Sequence, residues 1–143
     1  MLPWNFSIYV GPTGRCDVQA EIDSYDDYAR EAFSRAVEHL AITPKVQWNE
    51  PHGKKLKNED PLYEIRYKAN NRATRALGYF APDGSTFVIV LCCFHKGRIY
   101  TPADAFEIAH RRIRQIENGS ASTVPLQIDG EDFPAHDEEP GSA

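Results

Sequence analysis

The chain has 143 residues, the length of one ordinary domain, and its 16 Lys and Arg against 21 Asp and Glu give a formal net charge of −5. Three cysteines, of which Cys92 and Cys93 are adjacent, exclude a disulfide scaffold and favour a reducing compartment, so we expect a cytoplasmic protein. The sequence has no Cys and His residues at zinc-binding spacing, no apolar run long enough to cross a bilayer and no recognisable signal peptide. We therefore expect no metal, no cofactor and no membrane association.

The charge is unevenly distributed along the chain. Residues 1–44 carry a net −4, residues 45–117 a net +5 and residues 118–143 a net −6. Phosphate affinity depends on how many cations reach the backbone, so an acidic protein binds nucleic acid only through a local basic face. The basic middle is either such a face or a solvated charged surface, and charge alone leaves both interpretations open.

The first predicted elements are a strand and one long helix. Residues 4–10 alternate between apolar and polar and predict a strand that Gly11 ends. Apolar residues at helical spacing then predict one amphipathic helix over about 24–42, capped by Ser24 and closed by Pro44. The polar stretch 48–60 is interpreted as a loop or a short second helix.

Three strands and another helix follow. Residues 62–68, 73–81 and 86–94 are predicted as strands of an antiparallel meander, because short turns join them. The third strand is nearly all apolar, so it should be central and covered on both faces. Thr101 is predicted to cap the next helix, which Asn118-Gly119 stops.

This order of elements predicts one α+β domain over residues 1–118, with the helices packed on one face of an antiparallel sheet. Residues 119–143 are rich in Ser, Pro and acids and are predicted to form a disordered acidic tail. Within that tail, residues 123–128 have the composition of a short edge strand.

Cationic and proton-transferring side chains come from neighbouring predicted strands. If the helices cover one face, the other face can gather Arg66, Arg75, His95, Lys96 and Tyr100. Guanidinium groups bind phosphate through two hydrogen bonds, and a histidine transfers protons near neutral pH. Such a set suits metal-free cleavage of a phosphodiester by the ribose 2′-OH, which makes the expected substrate RNA.

Each candidate also has a purely structural interpretation. In this interpretation, Glu64 and Arg66 form a cross-strand salt bridge, Arg75 is an ion-pair partner on the strand surface, and His95 is a solvated histidine at a strand end. Tyr100 is a packed aromatic residue at a helix entrance. Lys54, Lys55 and Lys57 make a solubilising loop. Cys92 and Cys93 are interpreted as small core residues.

Five sequence segments, in the same order, resemble the RelE superfamily of toxins, specifically its phage-derived HigB-like branch, over about residues 15–117. The matching segments are Leu62-Tyr63-Glu64-Ile65-Arg66, Arg75-Ala76-Leu77-Gly78-Tyr79-Phe80, the apolar strand 87–94 followed by His95-Lys96, Thr101-Pro102, and Glu107-Ile108-Ala109.

The resemblance implies a RelE-like fold and an mRNA endoribonuclease that often acts on the ribosome. It also implies neutralisation by a small antitoxin that commonly carries a helix-turn-helix DNA-binding domain. Arg66, Arg75 and Lys96 match family positions for phosphate binding and catalysis. Lys54, Lys55 and Lys57 match a basic loop that contacts RNA, and we expect Arg98 to be a peripheral phosphate contact.

The chain departs from the family pattern at two positions. Gly97 and Tyr100 stand where the family usually carries lysines, so two phosphate contacts are missing. Tyr100 can act there as an acid or stack on a base. Two hypotheses follow: the chain is a metal-independent endoribonuclease toxin of a type II toxin–antitoxin system, or it is a non-catalytic RelE-fold protein, phage-encoded, that binds a host protein or the ribosome.

Overall fold

The computed structural model describes residues 4–133. Its strands are β1 (Asn5–Val10), β2 (Gly53–Lys55), β3 (Tyr63–Ala69), β4 (Arg72–Phe80), β5 (Thr86–Lys96), β6 (Ile99–Thr101), β7 (Ser122–Pro125), β8 (Gln127–Ile128) and β9 (Glu131–Asp132). Its helices are α1 (Asp17–Asp23), α2 (Asp27–Ala41) and α3 (Ala105–Glu117), and a 3-10 turn covers Lys45–Gln47. Within residues 4–133, no helix combines the length and apolarity needed to cross a bilayer.

One seven-stranded sheet organises the fold. Its strands lie in the order β2-β3-β4-β5-β1-β7, and β6 pairs with the end of β5. Strand β1 is parallel to β5, whereas the other pairs in this sheet are antiparallel. Strands β3, β4 and β5 form the predicted meander, so the predicted α+β class is confirmed. The sequence patterns did not reveal β2 and β6, which have three residues each.

The turn between β3 and β4 sets the register that later matters for the site. Asn70 and Asn71 both have positive φ, 54° and 60°, the conformation of a type I′ hairpin turn, which asparagine tolerates. Ala69 therefore pairs with Arg72, and moving three residues away from the turn on each strand places Arg66 directly opposite Arg75. The predicted tight turn thus determines which side chains become neighbours.

Helices cover both faces of the sheet, which corrects the expectation that they share one face. Helices α1 and α2 pack with Phe87 and Ile89 of β5, whereas α3 packs with Val88 and Val90, which point the other way. The physical reason lies in β5 itself, which is apolar on both sides and must be covered twice. The prediction that this strand is central and covered on both faces is confirmed.

Arg112 of α3 links the two helical layers. Its guanidinium donates to the Asp17 carboxylate at the start of α1 at 2.7 and 2.9 Å, and to the Val90 carbonyl oxygen of β5 at 2.8 Å. It also lies over the Tyr9 ring, 4.6 Å from its centroid. These contacts hold α3 against the sheet, and the sequence analysis did not single out Arg112.

The predicted helix over 24–42 is two helices rather than one. Asp26 is extended, with ψ of 176°, and its carboxylate accepts the Ala29 N–H at 2.9 Å, so α2 begins after Asp26 and not at Ser24. Ser24 instead ends α1, where its N–H donates to the carbonyl oxygens of Ala20 and Glu21. The Asp26 carboxylate therefore caps α2 in place of the predicted Ser24 hydroxyl.

The predicted cap at Thr101 is also wrong. Thr101 belongs to β6, where it pairs with Phe94, and α3 begins only at Ala105. Thr101, which the capping pattern assigned to the helix, instead pairs within the β5–β6 hairpin. This hairpin brings Tyr100 opposite His95.

Much of the predicted tail is folded. Strand β7 pairs with β1, Leu126 is fully buried in the core, and Phe133 packs against Phe6. The apolar residues Leu126, Ile128 and Phe133 provide core contacts that the acidic composition of the segment obscures. The domain boundary expected at residue 118 is therefore too early, and the remaining predicted tail, 134–143, lies outside the described residues.

Candidate active site

Two guanidinium groups meet on the sheet face that α3 partly covers. Arg66 of β3 and Arg75 of β4 are paired in register, so their side chains are adjacent on this face. Arg66 retains 22% side-chain exposure, whereas Arg75 retains 8%. The expected convergence of cations from neighbouring strands is present, but one of the two is nearly buried.

Glu64 is the carboxylate between them. Its side chain is 3% exposed, and its Oε2 lies 3.5 Å from Arg66 Nε and 3.6 Å from Arg75 Nε. Its Oε1 accepts a hydrogen bond from the Tyr100 hydroxyl at 2.6 Å. Because like charges directly opposite on a sheet repel, this buried carboxylate is what permits two guanidiniums to share the position. The strand salt bridge expected between Glu64 and Arg66 therefore extends to Arg75.

Arg75 is held away from solvent on several sides. Its Nη1 donates to the Thr74 carbonyl oxygen at 2.9 Å and its Nη2 lies 3.2 Å from His95 Nδ1. Its Nε is buried and has no hydrogen-bond partner among the described residues, since the Glu64 oxygen lies beyond hydrogen-bond range. Burial lowers the pKa of Arg75, and the Glu64 charge opposes that shift. A further acceptor close to Arg75 would therefore be stabilised.

The contact with Arg75 sets the state of His95. An arginine is always a donor, so His95 Nδ1 must accept this bond, which leaves the ring neutral with its proton on Nε2. Burial, followed by the charge of Arg75, lowers the pKa of His95 and favours the same neutral form. His95 therefore has a lone pair available for a proton only when Arg75 moves to another acceptor.

Tyr100 packs against His95 and Phe106, with ring centroids 4.5 and 4.7 Å away. Burial, followed by its hydrogen bond to Glu64, raises the pKa of Tyr100, so the hydroxyl stays protonated. Two neighbouring rings leave less of its surface for a nucleobase than an isolated tyrosine would offer. The contacts thus indicate a residue that positions Glu64 and His95.

A second carboxylate occupies the solvent side of Arg66. Glu50 Oε2 lies 2.9 Å from Arg66 Nη1 and 3.5 Å from Lys54 Nζ, and the hydrogen bond from Arg66 lowers the pKa of Glu50. The Glu50 side chain is 59% exposed. Sequence reasoning missed Glu50, because only the pairing of β2 with β3 brings the preceding loop to Arg66.

The structure separates the other predicted cations from this cluster. Lys54 pairs with Glu64 in register and faces the site, but Lys55 points to the other side and lies 3.4 Å from Asp60. Lys57 lines a depression beside Lys55, about 500 Å³ in volume and apart from the arginines. Only one of the three loop lysines therefore lies beside the site.

Lys96 and Arg98 also lie away from the two arginines. Side chains alternate along β5, so Lys96 lies on the opposite face from His95. Arg98 is exposed in the β5–β6 turn. The predicted set of Arg66, Arg75, His95, Lys96 and Tyr100 is thus brought together with the exception of Lys96.

A cavity of about 320 Å³ opens over the arginines, with Glu50, Arg66, Lys68, Ala73 and Arg75 among its lining residues. Guanidinium groups along its wall suit an oxyanion such as a phosphodiester. Cys93 lies beneath them, where burial raises the pKa of its thiol to about 12, so it is a core residue and not a nucleophile. Within residues 4–133, no group of three or more His, Cys, Asp or Glu side chains is arranged to hold a metal ion.

Comparison with known proteins identifies a family for the chain. A family model described as "Phage derived protein Gp49-like (DUF891)" matches residues 20–114, which include β3, β4, β5 and the site residues described above. No curated protein and no solved structure shows significant similarity to the chain.

Proposed function

Since the chain belongs to the Gp49-like family of phage-derived proteins, we propose that it is the toxin of a type II toxin–antitoxin system and a metal-independent mRNA endoribonuclease. The family is a toxin-like family of the RelE superfamily. Within it, we propose the HigB-like branch, a cytoplasmic site of action, and a small antitoxin partner with a helix-turn-helix domain. The ribosome is the proposed place of cleavage.

One observation carries the proposal: two in-register guanidiniums line an open cavity, and a neutral histidine contacts one of them, Arg75. Arg66 and Arg75 would bind the non-bridging oxygens of the scissile phosphate and stabilise the additional negative charge of the phosphorane.

The proposed reaction is an internal transfer at phosphorus. The ribose 2′-oxygen attacks the adjacent phosphorus, the bond to the 5′-oxygen of the next nucleotide breaks, and a 2′,3′-cyclic phosphate and a free 5′-hydroxyl result. The 2′-OH loses one proton and the leaving oxygen gains one, so no co-reactant is consumed. The requirement for a 2′-OH restricts the substrate to RNA.

His95 is the proposed proton-transfer group, and its contact with Arg75 supplies a switch. When the phosphate accepts hydrogen bonds from Arg75 Nη2, His95 Nδ1 loses its donor and becomes free to accept the 2′-OH proton. Tyr100 is proposed as a positioning residue, because its hydroxyl holds Glu64 and its ring packs against His95. Lys54 is proposed as a flanking phosphate contact.

Expression of the full chain in bacteria without an antitoxin tests the proposed function. We expect growth arrest together with new 5′ ends in mRNA, mapped by primer extension. A paired reporter with and without its start codon separates the two kinds of cleavage: cuts only in the translated reporter indicate the ribosome, and cuts in both indicate free RNA. Growth arrest with intact mRNA would contradict the nuclease.

A non-catalytic RelE-fold binding protein is the second candidate function. Carboxylates already neutralise both guanidiniums, since Glu50 and Glu64 contact Arg66, and Glu64 faces Arg75. Gly97 and Tyr100, in place of the lysines of the resembling family, reduce the positive charge further. Such a surface favours a protein or ribosomal partner over free RNA.

Glu50→Gln distinguishes a masked RNA site from an absent one. A phosphate that reaches Arg66 must displace the exposed Glu50 carboxylate, and glutamine keeps the shape but removes the charge. We expect single-stranded RNA to bind about two- to fivefold more tightly at low salt, the range for losing a competing exposed ion pair. Fluorescence anisotropy measures this affinity.

Glu31→Gln is the matched control, because Glu31 is an exposed carboxylate paired with an arginine, Arg35 of α2, away from the site. An equal gain in RNA affinity in both variants would show that the gain comes from the change in net charge and not from Arg66. An unchanged affinity in Glu50→Gln would mean that RNA does not approach Arg66.

A further inference from the structure

A second cavity lies where β4 begins and β5 ends. It has a volume of about 410 Å³, within the range of roughly 300–1,000 Å³ that is typical of small-molecule sites. Arg72, Phe94 and Lys96 line it, together with Ala73 and His95. We refer to it as the Arg72 cavity. The sequence analysis gave roles to His95 and Lys96 but none to Arg72 and Phe94.

Arg72 and Phe94 form a stacked platform at this cavity. The guanidinium carbon of Arg72 lies over the Phe94 ring, 3.9 Å from its centroid, while Arg72 remains exposed. The ring thus supports one side of the guanidinium and leaves its other side towards solvent. Unpaired nucleobases stack on guanidinium planes and aromatic rings in this way.

The charge of the Arg72 cavity differs from that of the arginine site. Arg72 and Lys96 are cationic, and no carboxylate is among the lining residues found in the described part of the chain. At the arginine site, by contrast, Glu50 and Glu64 compete with any anion. An RNA phosphate therefore meets less competition at the Arg72 cavity.

The two cavities adjoin each other. Ala73 lines both of them, and His95 lines the Arg72 cavity while its Nδ1 contacts Arg75. Arg72 and Arg75 point to opposite faces of the sheet, because three residues separate them along β4. A polymer with a phosphate at Arg66 and Arg75 would therefore pass around the start of β4 to reach the Arg72 cavity with the next part of its chain. This continuity favours a strand of RNA over an isolated small ligand.

We propose that the Arg72 cavity is a second nucleotide subsite, in which the base next to the cleaved bond stacks on Arg72 and Phe94 and its phosphate contacts Lys96. The proposal rests on the proposed function, because it extends the path of the same single-stranded RNA. It gives Lys96 a binding role that is compatible with its position on the face opposite His95.

Binding of a labelled 2′-O-methyl RNA of about ten nucleotides to the full chain tests the subsite, because this RNA lacks the 2′-OH needed for cleavage. By fluorescence anisotropy, Arg72→Ala is expected to weaken binding by about 5- to 150-fold, the range for loss of one base-stacking side chain. Phe94→Leu should weaken it less, because the guanidinium remains. Lys96→Ala should lower the salt slope by about 0.7, the value for one single-strand phosphate contact.

Arg111→Ala is the matched control, since it removes one exposed arginine from α3. Equal weakening by Arg72→Ala and Arg111→Ala would overturn the subsite, whereas toxicity that depends on Arg75 would leave the proposed function intact. If Arg72→Ala instead weakens capture of an acidic peptide and leaves RNA binding unchanged, the cavity is a protein-docking site and the subsite is equally overturned.

Discussion

Arg75→Ala is expected to abolish toxicity on expression and to reduce mRNA cleavage by about 10²–10³-fold, the usual loss when one charge-stabilising donor is removed from a transition state. Arg75 is the guanidinium that connects Glu64, His95 and the cavity. Its removal takes away a phosphate donor and the hydrogen bond that sets the neutral tautomer of His95. Growth curves and primer extension measure the two effects.

Arg75→Lys keeps this test independent of folding. Lysine retains the charge opposite the buried Glu64, so the fold should survive, but it lacks the planar pair of donors that binds phosphate. We expect most of the cleavage activity to be lost while circular dichroism and the urea midpoint stay close to those of the wild type. Arg111→Ala should remain toxic, and a folded Arg75→Ala as toxic as the wild type would place the active site elsewhere.

Glu64→Ala is expected to destabilise the protein by about 3–5 kcal/mol, the range for removing one partner of a buried ion pair. Three contacts are lost at once: the ion pairs with Arg66 and Arg75 and the hydrogen bond from Tyr100. Arg75, with its side chain 8% exposed, is then left without a counter-charge beside another guanidinium. Urea unfolding followed by fluorescence measures the loss.

Two variants separate the parts of this effect. Tyr100→Phe removes only the hydrogen bond to the carboxylate, so we expect a loss of about 1.5–3 kcal/mol. Glu31→Ala breaks an exposed ion pair with Arg35 and should cost much less, because solvent screens such pairs. A loss in Glu64→Ala no larger than that in Glu31→Ala would show that Glu64 does not hold the two arginines together.

Glu64 gives the site its particular character. A bare pair of guanidiniums would bind phosphate strongly but would repel each other in the free protein, whereas a buried carboxylate stabilises the pair at the cost of some phosphate affinity. The exposed Glu50 adds a competitor that a substrate can displace. If the proposed function holds, this arrangement suits an RNA presented at high local concentration, as it would be on the ribosome.

Local sequence patterns predicted the meander and the site strands well. Alternation identified β1, turn residues delimited β3 and β4, and a nearly continuous apolar run identified β5. The Asn70-Asn71 turn implied the hairpin whose register pairs Arg66 with Arg75. These predictions succeed because side-chain alternation and turn conformation depend on a few consecutive residues. The helix boundaries were predicted less accurately, because Ser24 and Asp26 both carry side chains that can cap a helix and only the folded geometry selects Asp26.

The sequence by itself determined which side chains are available, which of them share a strand face, and the family resemblance that the match over residues 20–114 supports in its coarser form. Only the tertiary structure decided which distant residues join the two arginines. The pairing of β2 with β3 brings Glu50 to Arg66, and the pairing of β6 with β5 brings Tyr100 to Glu64 and His95. Such contacts join residues far apart in the chain, and whether a charge is buried or paired depends on what the fold packs around it, which no local pattern encodes.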